Sequence, residues 1–149
     1  MSNQIIKNKN PFNNNISIWI LDSGASIHTC TDFRLLKNIK PCHEIISLAN
    51  VKIVIANYVG NFSGYINTHL VNLNNVFFSP DIYKNLISFG FLAKQKYNIV
   101  FTYINYKSSA LINNNSGTRI CKIDSNNSDT FRIWFTKYNN ENKSHINNS

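Results

Sequence analysis

The sequence predicts an all-β domain with one or two short helices, folded as a small barrel or sandwich. Three observations carry that prediction. Short apolar runs rich in Ile, Val, Phe and Tyr recur at close spacing through the middle of the chain, the pattern of half-buried strands. Asn, Gly, Ser or Pro separates these runs, so a turn signal stands between neighbouring strands. The 149 residues leave room for one domain with a core-forming stretch of about 100 residues.

The elements follow in chain order. Residues 1–16 are rich in Asn and Lys and read as a disordered leader. Ile18-Trp19-Ile20-Leu21 is the first strand signal. Asp32 to Asn38 suits a helical turn capped by Thr31 or Asp32. Ile45 to Leu48, Val51 to Tyr58, Tyr65 to Leu73 and Asn75 to Phe78 are further strand runs. Leu86 to Lys96 reads as the better helix, with Ser88 as a cap and Lys94 and Lys96 at a basic end, although Gly90 weakens it. Ile99 to Tyr103 and Ala110 to Ile112 complete the strands and bound the domain at 17–112. Residues 113–149 turn polar again and read as an Asn-rich, mostly disordered tail in which Phe131 to Phe135 is the one apolar run. No internal repeat is visible.

Composition excludes several classes. The longest apolar stretches fall far short of a membrane span, and residues 1–15 lack the apolar segment of a secretory signal. These features predict an intracellular, cytoplasmic protein without membrane contact. A formal charge of +8 invites a nucleic-acid reading, but it is spread thinly and forms no Lys/Arg block, which argues against nucleic acid as a partner. The chain holds 27 Asn and 21 Ile; the Asn clusters mark exposed turns rather than a chemistry. Cys30, Cys42 and Cys121 are an odd set, best read as reduced thiols. A zinc set drawn from His28, Cys30, Cys42 and His43 lacks the tight Cys-x-x-Cys spacing of structural sites, so these read as core residues. His28, His43 and His69 have no nucleophile context beside them.

The stretch that carries chemistry is Trp19-Ile20-Leu21-Asp22-Ser23-Gly24-Ala25-Ser26. An apolar strand runs straight into Asp-Ser-Gly-Ala. A carboxylate at the end of a buried strand is costly to leave ionised and unpaired. Ser23 offers a hydrogen bond to lock the loop, Gly24 lets another group approach the backbone closely, and Ala25 keeps the turn small. Together they present one carboxyl group in a rigid setting. Alone, Asp-Ser-Gly is also an ordinary turn sequence.

The segment 19–28 resembles the start of the protease of copia-type retrotransposon Pol polyproteins. Leu73 to Ser88 resembles a second block of that family, Leu-x-Asn-Val-Leu-Tyr-Val-Pro-Asp-Leu-x-x-Asn-Leu-Leu-Ser, and Tyr97 to Phe101 is similar to the strand that follows it. The order and spacing of the three blocks agree over about 85 residues, most of the expected domain. The resemblance implies a closed, retropepsin-like β-barrel protomer and an aspartic endopeptidase acting on extended peptide, held as an added strand. It implies Asp22 as the catalytic acid/base, Ser23 bonding across a dimer, and Gly24 and Ala25 completing the active-site loop. Leu86, Ile87 and Ser88 would support that loop from behind, with Ser88 where retroviral relatives carry Gly.

An aspartic protease needs two carboxyl groups sharing one proton. This chain offers one Asp-(Ser/Thr)-Gly, since Asp124-Ser125-Asn126 and Asp129-Thr130-Phe131 lack the Gly. An enzyme of this kind is therefore a homodimer with Asp22 of each copy on the two-fold axis, and it needs no metal or organic cofactor. The resemblance also has a departure. The family's flap carries Ala-(Asp/Asn)-Gly, whereas this chain has Ala49-Asn50-Val51, and a β-branched residue disfavours the φ > 0 turn that Gly supplies. The alternative reading is a catalytically inactive barrel remnant of such a polyprotein, serving as an interaction module.

Overall fold

The computed structural model describes residues 15–48, 52–125 and 130–138. Its strands are β1 (Ile16–Asp22), β2 (His28–Cys30), β3 (Lys37–Leu48), β4 (Lys52–Ile66), β5 (His69–Phe78), β6 (Leu86–Ser88), β7 (Asn98–Ile104), β8 (Lys107–Asn113), β9 (Arg119–Asp124) and β10 (Phe131–Lys137). A single α-helix, α1 (Phe89–Lys94), and a 3-10 turn at Phe33–Leu35 complete the described elements. The fold is all-β with one short helix, as the strand-and-turn pattern predicts.

The main sheet runs β10-β1-β6-β2-β5-β4-β3. The end of β10 also pairs with β4, Thr136 opposite Tyr65 and Lys137 opposite Gly64, so the sheet closes on itself into a ring. A second sheet of three strands, β7-β8-β9, packs on it. The two share one core in which Trp19, Phe62, Leu73, Val76, Ile87 and Phe135 meet Ala110, Ile112 and Ile120. Trp19 is fully buried, lies 4.6 Å from the Phe62 ring centroid, and donates its indole N–H to Ser17 Oγ at 2.9 Å. That bond satisfies the one polar atom of the ring and lets the rest of it stay dry.

Alternation explains the long strands. In β4, Val54, Ala56, Phe62 and Ile66 point inward while Ile53 and Ile55 face out. The runs read as Tyr65–Leu73 and Asn75–Phe78 are resolved differently. The first is the end of β4, a two-residue turn with Asn67 at φ 56°, and the start of β5. The second continues the same β5 beyond an irregularity where Asn75 sits at φ 58°. Asn tolerates that left-handed conformation better than most residues.

Two expectations are corrected. The helix expected over Leu86–Lys96 begins only at Phe89, because Leu86 to Ser88 pair with β1 as a strand. Ser88 nevertheless caps it, accepting from Phe91 N–H at 3.2 Å. The segment 113–149, expected to be a mostly disordered tail, contains β9 and β10. β10 pairs along β1 from Ile16 to Leu21 and buries Ile133 and Phe135 in the core. The expected cap at Asp32 is present on the 3-10 turn, accepting from Arg34 N–H at 2.9 Å.

Candidate functional site

The end of β1 sets the site. Ile20, Leu21 and Asp22 lie parallel to and opposite Leu86, Ile87 and Ser88, so each residue of the expected support stands beside one leading into the loop. Ile87 is buried in the core, whereas Leu86 reaches the surface cleft. Asp22 accepts from the Gly24 N–H through Oδ1 at 2.8 Å, and its carbonyl accepts from Ala25 N–H at 3.3 Å. The loop is thus bonded to its own carboxylate through Oδ1, which restrains that side chain's rotamer. Ser23 and Gly24 are exposed.

Ser88 holds this loop from behind. Fully buried, it donates Oγ–H to the Ala25 carbonyl at 2.9 Å and caps α1 with the same oxygen. Its backbone N–H donates to His28 Nδ1 at 2.9 Å. His28 is therefore the neutral tautomer with its hydrogen on Nε2, and Nε2 is buried without a hydrogen bond. Burial pulls the His28 pKa down to about 4, against a smaller upward pull from the Gln95 side chain. An imidazole that deep, with its lone pair committed to Ser88, orders the loop and takes no proton near neutral pH.

Asn85 is a second clamp, outside the residues expected to support the loop. Its side-chain N–H donates to the Ile18 carbonyl at 3.0 Å, and its Oδ1 accepts from the Thr31 N–H at 2.9 Å. Its own carbonyl accepts from Ile20 N–H at 2.8 Å. One residue thereby ties together β1, the end of β2 and the start of β6. Asn85 stands at the Asn of the resembling block Asn-Leu-Leu-Ser, which is the one signal for it in a chain so rich in Asn.

Asp22 opens on a cleft of about 130 Å³. Gly24, Ala25, Ser26, Ile27 and Thr29 line it together with Leu86 of β6 and Ile46 and Ser47 of β3. Ile46 of that lining packs with Val54 and Ala56 of β4 and with Ile82 in a small second core. Near the tip of the β3–β4 hairpin the Lys52 ammonium bonds Tyr83 Oη at 3.2 Å. The expected flap residues Ala49, Asn50 and Val51 lie outside the described residues. Asp22 is the sole carboxylate lining the cleft among the described residues. Gly24 has one notable property: a Cβ there would meet only the Asp22 carboxylate, at 3.4 Å. That is ordinary contact, so nothing among the described residues of one copy demands glycine at this position.

The residues of the zinc reading are separated. Cys30 is buried with its thiol pushed up to about 12 by burial, and Cys42 sits in the second core with Sγ 3.5 Å from the Ala56 carbonyl. Among the described residues no three His, Cys, Asp or Glu side chains converge to hold a metal. No helix among them is long and apolar enough to cross a membrane.

Comparison with known proteins adds a family. A family model described as "Pol polyprotein, beta-barrel domain" matches residues 19–97, which takes in the Asp22 loop, the hairpin, β5, β6 and α1. The Retrovirus-related Pol polyprotein from transposon RE1 of Arabidopsis thaliana is 33% identical over 72 residues, 47% of this chain and 5% of the relative. That from transposon RE2 of the same plant is 33% identical over 76 residues, 50% of this chain and 5% of the relative. The match thus spans a small fraction of these polyproteins.

Proposed function

The chain belongs to the Pol polyprotein β-barrel domain family, and from that premise we propose that it serves as an interaction module, taking an extended peptide segment into the Asp22 cleft. The observation that carries this reading is the composition of the cleft wall. One carboxylate stands among Ser26, Ser47 and Thr29 hydroxyls and the apolar side chains of Ile27, Ile46 and Leu86. Such a surface grips a peptide by its backbone and one apolar side chain. It holds half of the acid/base pair that hydrolysis by an aspartic mechanism needs, so a single chain has no complete centre.

A second reading is favoured by the loop itself. Asp22 is held by Gly24 N–H through Oδ1, Ser23 is exposed, and a Cβ on Gly24 would meet only the Asp22 carboxylate among the described residues. Two copies related by a two-fold axis would bring both loops together, with Gly24 allowing the close approach. The two Asp22 carboxyls would then share one proton, one activating a water against the scissile carbonyl and the other protonating its oxygen. On this reading the pair is a retropepsin-like aspartic endopeptidase of polyprotein segments, and no metal or cofactor takes part.

The test is capture of a random peptide library by the immobilised 149-residue chain, beside Ser26→Arg and Ser47→Arg, two exposed substitutions that fill the cleft. Enrichment of peptides with an apolar anchor by the parent chain, lost in both variants, supports the module. Equal enrichment on all three removes the cleft from the account. Scission of captured peptides, absent in Asp22→Asn, selects the second reading.

A further inference from the structure

The cleft is not the largest recess in the molecule. A cavity of about 460 Å³ opens at the other end of β1, lined by Ser17, Arg34, Lys37, Phe62, Ser63 and Lys137 among others. Six strand steps separate Ile16 from Asp22, so it lies about 20 Å from the carboxylate of the cleft. Its position follows from how the ring closes. β10 and β3 share one edge of β4: Lys137 pairs opposite Gly64 and Lys37 opposite Asn61. Between those rungs that edge of β4 changes partners, at Phe62 and Ser63. The two lysines therefore flank the seam about 10 Å apart along the strand.

The charges on this wall are unequal. Arg34, Lys37 and Lys137 face one carboxylate, Asp32. Arg34 takes both Asp32 oxygens, Nε to Oδ1 at 3.0 Å and Nη2 to Oδ2 at 2.8 Å, so that pair is internally neutral. Two ammonium groups remain. Lys37 lies 4.3 Å above the Tyr138 ring, which holds it at the seam without neutralising it. Lys137 is exposed and has no carboxylate partner among the described residues. The Ser17 oxygen accepts the Trp19 N–H, which leaves its own O–H to donate. Leu35, Leu36 and Phe62 supply apolar surface.

We propose that this seam cavity binds a small phosphate monoester with an apolar body. A monoester carries close to two negative charges at neutral pH, the charge the two ammoniums leave uncompensated among the described residues. A carboxylate carries one. The volume falls in the range of small-molecule sites, and lysine ammoniums with a hydroxyl donor are suited to tetrahedral oxyanions. The site is independent of what the Asp22 cleft does.

Phenyl phosphate is the probe, titrated calorimetrically into the full chain, beside Lys137→Gln, the Lys37→Gln/Lys137→Gln pair, and a Lys94→Gln/Lys122→Gln control. The expected result is a Kd below about 1 mM for the parent chain, weakened about tenfold or more by the seam pair and by a lesser factor by Lys137→Gln alone. The control should bind as the parent does. Since the Lys137 side chain is exposed and its rung to Gly64 is made by backbone, Lys137→Gln tests binding rather than folding. No heat from the parent chain overturns the proposal, as does equal affinity of the seam pair. Equal weakening by the control would show bulk charge instead of a site. Tighter binding of oligothymidylate than of phenyl phosphate, lost in the seam pair, would also overturn it, replacing the monoester by a nucleic-acid strand.

Discussion

Replacing Ser88 by Ala removes one oxygen that performs two tasks at once. That oxygen donates to the Ala25 carbonyl at 2.9 Å and accepts from the Phe91 N–H at 3.2 Å, and Ser88 is fully buried, so water replaces neither bond without opening the loop. Loss of a helix cap costs about 1 kcal/mol. An unsatisfied, partly buried carbonyl adds about 1–2 kcal/mol. The sum is about 2–3 kcal/mol, which at a urea slope of about 2 kcal/mol/M moves the unfolding midpoint down by about 1–1.5 M. The assay is urea unfolding followed by tryptophan fluorescence, since Trp19 lies in the core that must open. Hydrogen exchange supplies the local readout: the Gly24 and Phe91 amides should exchange faster, and those of β7 and β8 should keep their order relative to global unfolding. A midpoint shift below about 0.3 M would refute the reasoning. So would a full shift without faster exchange at Gly24, because the oxygen would then matter only to the helix.

Further predictions rest on other residues. The β7–β8 turn places Asn105 and Tyr106 at φ 54° and 62°, a type I′ geometry that favours Asn-Gly; Tyr106→Gly should stabilise by about 1 kcal/mol, read as a higher urea midpoint. A Cβ at Gly64 would lie 2.8 Å from Phe62 Cζ and 2.9 Å from Phe135 Cβ, so Gly64→Ala should destabilise by about 1–3 kcal/mol, whereas Gly24→Ala should leave the stability of a single chain nearly unchanged. His28 has a folded pKa of about 4 against 6.5 unfolded, so the unfolded chain binds the extra proton between those values. Stability is then fully present above about pH 6.5, falls by about 3 kcal/mol as pH drops toward 4, and is flat below it as far as this group is concerned. A His28→Gln variant should lose that slope in urea unfolding run from pH 7 to pH 4; an unchanged slope would assign it to other groups.

Much of the fold was legible from residue patterns, and the misses have physical causes. The strand into Asp22-Ser23-Gly24-Ala25 and the capping role of Ser88 followed from apolar runs ending in residues with defined local roles. The all-β class followed from Ile, Val and Phe between turn residues. The three-residue strands β2 and β6 are too short to show a period, and Leu86-Ile87-Ser88 merged with the helical pattern that follows it. β10 does alternate, with Ile133 and Phe135 buried and Trp134 exposed. Its Asn-rich flanks outweighed that signal in the sequence. What makes it a strand is its partner β1, more than 100 residues away in the chain, as the register of Ile16 with Thr136 records. The cleft was legible on the Asp22 side alone; Asn85 and the His28–Ser88 bond depend on contacts across the sheet that no local spacing reveals.

The central proposal is that the Asp22 cleft, with one carboxylate among the described residues, lacks by itself the second carboxylate that an aspartic mechanism needs. Its most direct test is peptide turnover by the purified chain at about pH 5, where a proton-sharing pair would work, measured over a wide dilution series beside Asp22→Asn and with the oligomeric state determined by sedimentation in the same samples. The account predicts no turnover from the monomer, with any activity confined to the dimer, rising per chain with concentration and absent from Asp22→Asn. Constant turnover per chain on dilution into the monomer, or turnover that survives in Asp22→Asn, would contradict it.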